Sequence, residues 1–169
     1  MKSLIVVDYQ VDFVSGSLGS EDAKSIEGSI CDRIEQALDE GWRVIFTLDT
    51  HDDGYLGTLE GVKLPVPHCL KGTEGHMLYG RVSSYADRGI VIEKSSFGCP
   101  GLMGCLDDCD EVELCGVATN ICVLANAVMI RSFYPDMKVS VRRSCTASYD
   151  RDAAEKALCI LPSLQVDVV

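Results

Sequence analysis

Six short apolar runs punctuate this chain, and their spacing constrains the fold more than any other feature. They read "SLIVVD" (3–8), "RVIFTLD" (43–49), "GIVIEK" (89–94), "EVELCGV" (111–117), "MKVSVRR" (137–143) and "LQVDVV" (164–169). Each has the length of a strand and is apolar almost throughout, the pattern of strands buried on both faces rather than one. Between them lie helical patterns. Residues 23–40 repeat Ile26, Ile30, Ile34 and Leu38 at helical spacing, with Gly41 as a stop. "GLMGCLDD" (101–108) reads as a short helix. Asn120 to Phe133 reads as a strongly apolar helix capped by Thr119 or Asn120, ended by Tyr134 before Pro135. Asp150 to Ile160 reads as a last helix, capped by Ser148 or Asp150. Strands alternating with helices predict an α/β fold: a doubly wound, predominantly parallel six-stranded sheet with helices on both faces.

The chain has 169 residues, and no repeat or linker divides it, so one domain over 1–169 is expected. Its formal net charge of −11 argues against nucleic acid and anionic membrane surfaces as partners. No run approaches the roughly 20 apolar residues that a membrane span needs. The apolar run from Leu4 to Val7 is cut off by Asp8, too short for a signal-peptide core, and a cytoplasmic protein is the expectation. Nine cysteines, an odd number without any C-x-x-C pair, read as reduced thiols, mostly small buried hydrophobes.

In parallel sheets ligands bind beyond the carboxyl ends of the strands. Asp8 ends the first run, Asp49 the second and Lys94 the third, while Cys122 follows the fourth. A single acid at a strand end commonly caps a turn. An acid, an ammonium group and a thiol converging on one rim make a different set. Cys122 at the start of its helix faces unpaired N–H groups and the positive end of the dipole, both of which favour thiolate. Asp8 has the chemistry of a proton acceptor and donor, Lys94 that of a charge stabiliser. Acyl transfer through a thioester needs such a set. Spacing alone leaves open a packed cysteine beside a structural Asp8–Lys94 ion pair. Residues 52–88, rich in Gly and Pro, form a segment long enough to suggest function. Asp49 and His51, just before it, and His68 within it have the pattern of one form of divalent metal site, with Glu60 between the histidines as a further candidate ligand; by residue type alone they read as surface or hydrogen-bonding residues.

The chain resembles the isochorismatase-like cysteine hydrolases, and within that family the nicotinamidases. "LIVVDYQVDF" resembles the opening motif, "EKSSFG" the lysine motif and "GVATNICVLANA" the nucleophile segment, while "SCTASYDRDAAEKAL" matches the usual end of the fold. The resemblance implies Asp8, Lys94 and Cys122 as catalytic residues. It also implies a cis Val117–Ala118 peptide and an oxyanion hole made by the Ala118 and Cys122 amides. "PVPHCLKGTEG" carries His68 in the metal motif, implying Asp49, His51 and His68 as ligands of a divalent ion: zinc, or else manganese or iron. Phe13, Val117 and Ala118 are implied to face the substrate. His76 falls outside the motif. Three departures stand out. Val11 replaces a common asparagine, the segment before His68 lacks a tryptophan wall for which Tyr55 or Leu64 is the stand-in, and Phe97 is the nearest aromatic after Lys94. The implied activity is hydrolysis of nicotinamide to nicotinate and ammonia, in NAD salvage, by a homo-oligomer. The alternatives are another small amide, ureido or carbamoyl substrate on the same triad, or a non-catalytic binding protein on the same fold.

Overall fold

The computed structural model describes residues 1–169. Six strands form one sheet: β1 (Lys2–Val7), β2 (Arg43–Asp49), β3 (Ile90–Lys94), β4 (Glu111–Val117), β5 (Lys138–Ala147) and β6 (Asp167–Val168). Their order is β3-β2-β1-β4-β5-β6, and every neighbouring pair is parallel. Strand order reverses between β1 and β4, the crevice where ligands of such sheets bind. Seven α-helices accompany the sheet: α1 (Val11–Val14), α2 (Glu21–Ser25), α3 (Glu27–Asp39), α4 (Leu59–Lys63), α5 (Leu102–Cys105), α6 (Leu124–Phe133) and α7 (Arg151–Ile160).

β1 shows why its sequence builds the centre of the sheet. Successive side chains point to opposite faces, so an unbroken apolar run feeds two cores. Leu4 and Val6 join one core with Ile30 and Ile34 of α3. Ile5 and Val7 join the other with Ala127 and Ile130 of α6 and Leu158 of α7. All four strand residues are fully buried, each contributing about 1.5–3 kcal/mol of transfer free energy.

The helical pattern at 23–40 resolves into two pieces, α2 and α3, that meet at Ile26. The Ser20 side chain caps α2 by accepting the Ala23 N–H. α3 ends in a Schellman arrangement, with Trp42 N–H on the Ala37 carbonyl and Gly41 N–H on that of Leu38. Gly41, at φ 76°, supplies the left-handed residue this requires. Asp150 caps α7 by accepting the Ala153 N–H at 2.9 Å. The last strand is shorter than the run suggests, two residues in β6. β5 is longer and continues to Ala147 across a register shift against β4. The shift sets Thr146 beside Gly116 and Ala147 beside Val117, which brings the Thr146 hydroxyl to 2.9 Å from that of Thr119. Residues 52–88 hold α4 and three short 3₁₀ turns, at Tyr55–Gly57, Glu74–His76 and Gly80–Arg88. No helix is long and apolar enough to cross a membrane.

Candidate active site

The four side chains anticipated at strand ends meet at the carboxyl rim of β3, β2, β1 and β4. Register explains it. Asp49 and Lys94 are direct partners across β2 and β3. Val7 pairs with Thr47 on one side and Gly116 on the other, so Asp8 emerges between β2 and β4. Gly116 makes the approach possible: a Cβ there would lie 2.1 Å from the Val7 carbonyl oxygen, and its φ is +105°.

Lys94 is the hub. Its Nζ lies 2.8 Å from Asp8 Oδ2 and 3.1 Å from Asp49 Oδ1. It donates to the Ser96 carbonyl at 2.8 Å and approaches Cys122 Sγ at 3.7 Å. Asp8 is fully buried and has φ +48°, an uncommon backbone state for a residue with a Cβ. Thr47 holds it there: its hydroxyl donates to Asp8 Oδ1 at 2.6 Å, and its Oγ1 accepts the Asp8 N–H at 3.2 Å. Burial pushes the Asp8 carboxyl above its ordinary value, and the Lys94 charge only partly offsets this. Burial likewise resists charge on Lys94, but the Asp8 and Asp49 carboxylates outweigh it and keep the ammonium protonated.

Cys122 sits in a π-helical turn, Thr119–Val123, that leads into α6. The expectation that the helix N-terminus would favour its thiolate needs correction. Burial raises the thiol well above its ordinary value, the Asp8 charge adds to this, and Lys94 only opposes it. The resting state is a neutral thiol beside a proton acceptor. The Val117–Ala118 peptide that enters the turn is cis. The Ala118 N–H is bound to no backbone carbonyl, leaving a donor next to the sulfur's turn.

Behind the other oxygen of Asp49 lies a second cluster. Asp49, His51, Glu60 and His68 each place a ligand-type atom within 4.8 Å of the others. His51 Nε2 is 2.9 Å and His68 Nε2 is 3.5 Å from Asp49 Oδ2. Glu60 Oε1 is 3.8 Å from His51 Nε2 and 3.7 Å from His68 Nε2. His68 Nδ1 is 2.7 Å from the Val66 carbonyl, which can only accept. That nitrogen therefore carries a proton, and in the neutral ring the Nε2 lone pair faces the cluster. Burial alone would raise the Asp49 carboxyl, but the His51 bond and the Lys94 charge outweigh it and hold it below its usual range. Two imidazoles and two carboxylates at these separations fit a borderline divalent ion. Asp49 thus links the clusters, one oxygen to Lys94 and the other to the histidines.

Both clusters adjoin one cavity of about 330 Å³. Cys122, Asp49, Glu60 and His68 line it, with Phe13, Phe97, Val117 and Ala118 among its walls. Leu64 also lines it, whereas Tyr55 does not: it is buried against His51 and His68, with ring centroids 4.7 and 5.0 Å away, and its hydroxyl donates to the Leu64 carbonyl. Tyr55 therefore supports the histidines, and of the two stand-ins only Leu64 reaches the cavity. His76 stays apart, its Nε2 on Thr50 Oγ1 at 2.8 Å.

Sequence reading missed the braces. Gln10 is fully buried and grips the Asp49 backbone from both sides, donating to its carbonyl and accepting its N–H. Thr47 and Asn126 act comparably at Asp8 and Cys122. Thr47 lies in the apolar run of β2 and Asn126 in apolar α6, and a polar residue in such a stretch is the signal that could have found them; Gln10, between β1 and α1, carries no such signal.

A model of the isochorismatase domain matches residues 2–167. The chain belongs to the isochorismatase family. The isochorismatase family protein PncA of Bacillus subtilis strain 168 is 32% identical, over 93% of this chain and 92% of that one. Among solved structures, a pyrazinamidase/nicotinamidase of Streptococcus mutans UA159 is 29% identical with a TM-score of 0.89, covering 100% of both chains. A pyrazinamidase of Pyrococcus horikoshii in complex with zinc, 23% identical, shares the fold with a TM-score of 0.87 over 99% of this chain and 98% of that one.

Proposed function

We propose that the chain is a metal-assisted cysteine amidohydrolase whose substrate is nicotinamide, hydrolysed to nicotinate and ammonia through a thioester on Cys122. The observation that carries this reading is the placing of Lys94 Nζ between Asp8, Asp49 and Cys122, beside a cavity that the sulfur and the Asp49–His51–Glu60–His68 cluster both adjoin.

Asp8 takes the thiol proton from Cys122, and the sulfur's electron pair attacks the carboxamide carbon. The carbonyl oxygen becomes an oxyanion, held by the Ala118 and Cys122 N–H groups. When the C–N bond breaks, Asp8 returns its proton to the leaving nitrogen, which departs as ammonia. Lys94 offsets the negative charge that moves between carboxylate and sulfur. Water then adds to the thioester carbon, giving its proton to Asp8. The C–S bond breaks, Asp8 passes that proton to the departing sulfur to restore the thiol, and the acid product gives up its remaining proton to solvent and leaves as nicotinate. Phe13, Leu64 and Val117 supply apolar walls for the pyridine ring. Asp49, His51, Glu60 and His68 would hold the divalent ion, zinc by this reading, and a bound ion supplies a Lewis-acid contact that orients the ring through its nitrogen. The protein works in the cytoplasm as a homo-oligomer, supplying NAD salvage.

The test is ammonia release from nicotinamide by zinc-loaded protein, with Cys122→Ala as control. The reading expects turnover in the wild type and loss of at least about 10³-fold in the variant, as when a covalent nucleophile is removed. Equal ammonia release by both would overturn it.

A further inference from the structure

Helix α6 is apolar along most of its length, and Asn126 is fully buried within it. It lies four residues after Cys122, one turn along the same face. Its Oδ1 accepts the Cys99 N–H at 2.8 Å. Its Nδ2 donates to the Cys122 carbonyl at 2.8 Å and to the Phe97 carbonyl at 3.2 Å. One buried amide thus satisfies three backbone groups, two of them on the loop leaving β3 and the third on the nucleophile's own residue.

That loop reaches into the site at two further points. The Ser96 carbonyl accepts from Lys94 Nζ at 2.8 Å, and Phe97 lines the cavity. A bond inside α6 alone would need only a hydroxyl, because serine or threonine reaches the carbonyl four residues back. The side chain present spans further, from helix to loop, and leaving its partners buried without it would cost free energy at each.

We propose that Asn126 is a positioning residue for the reaction: it clamps the loop after β3 onto the turn of the nucleophile, so that Lys94 and Cys122 keep their register. This rests on the hydrolase reading above. Asn126 touches neither substrate nor sulfur and acts through the backbone of Cys122, Phe97 and Cys99.

The test compares Asn126→Thr, which keeps the bond to the Cys122 carbonyl and cannot bridge to the loop, with Asn126→Ala, which loses both. Three readouts are taken on folded protein: kcat and KM for nicotinamide, the rate of Cys122 alkylation by iodoacetamide followed on its peptide, and the melting temperature. Asn126→Thr is expected to lose about 10–100-fold in kcat, the usual effect of removing a supporting partner. Its KM should stay within about threefold, since Phe97 is one wall of the cavity among several, and Cys122 alkylation should slow in step with kcat. A role in stability alone would lower the melting temperature of both variants while kcat and alkylation rate stayed within about twofold of wild type, and that overturns the proposal. Failure of both variants to fold would also overturn it, assigning Asn126 to stability. If wild-type protein releases no ammonia from nicotinamide, the substrate reading fails, while the alkylation comparison still decides the clamp.

Discussion

Asp8 is a fully buried carboxylate on left-handed backbone beside Lys94. Such a conformation costs about 1–3 kcal/mol, and here Thr47 sustains it through both of its hydrogen bonds. Its proton affinity sets a pH limit on activity. The base form must be ionised to accept the Cys122 proton, and burial raises its pKa above the ordinary 3.8. Activity therefore falls as pH drops, with a midpoint above that value. A pH profile of kcat/KM should show this acid limb, and Asp8→Asn should be inactive across the range. A limb at or below 3.8 would mean that the buried carboxylate is not the group titrating. At this scale the sequence was legible where chemistry ends a strand, as at Asp8, Asp49 and Lys94. Thr47, Gln10 and Asn126 were not read, because partners such as Asp8 for Thr47, the Asp49 backbone for Gln10 and the Cys99 and Phe97 backbone for Asn126 are distant in sequence and meet them only in the finished fold.

At the scale of elements, the crossing of β1 and β4 decides whether a site exists. Gly116 lets the two strands close, because a Cβ would overlap the Val7 carbonyl and φ +105° strains any side chain. Gly116→Ala should destabilise the fold by about 3 kcal/mol or more, combining overpacking with backbone strain. Urea unfolding measures it, and a loss under about 1 kcal/mol would show that the strands can part without cost. The apolar runs announced strands because period and composition are local properties. The break between α2 and α3, the extension of β5 through a register shift and the turns of residues 52–88 were not legible. They depend on distant contacts, such as Gln10 on the His76 carbonyl and Asp12 on the Cys69 N–H. Strand order itself is a set of non-local pairings that no single run encodes.

Across the whole molecule, one sheet carries both clusters, and Asp49 ties them through its two oxygens. Filling the metal cluster should therefore stabilise the entire fold, by mass action on the native state. Added zinc should raise the melting temperature of wild-type protein as one cooperative transition over 1–169 and leave His68→Ala unchanged. An equal rise in both would place the metal elsewhere. The nine thiols, none of them paired, make the decisive measurement selective. Wild-type protein is quenched during turnover of nicotinamide, digested, and every cysteine peptide is weighed. A nicotinoyl group is expected on the Cys122 peptide alone and on none from Asp8→Asn. Turnover with no acyl group on Cys122, or with one on another cysteine, would contradict it.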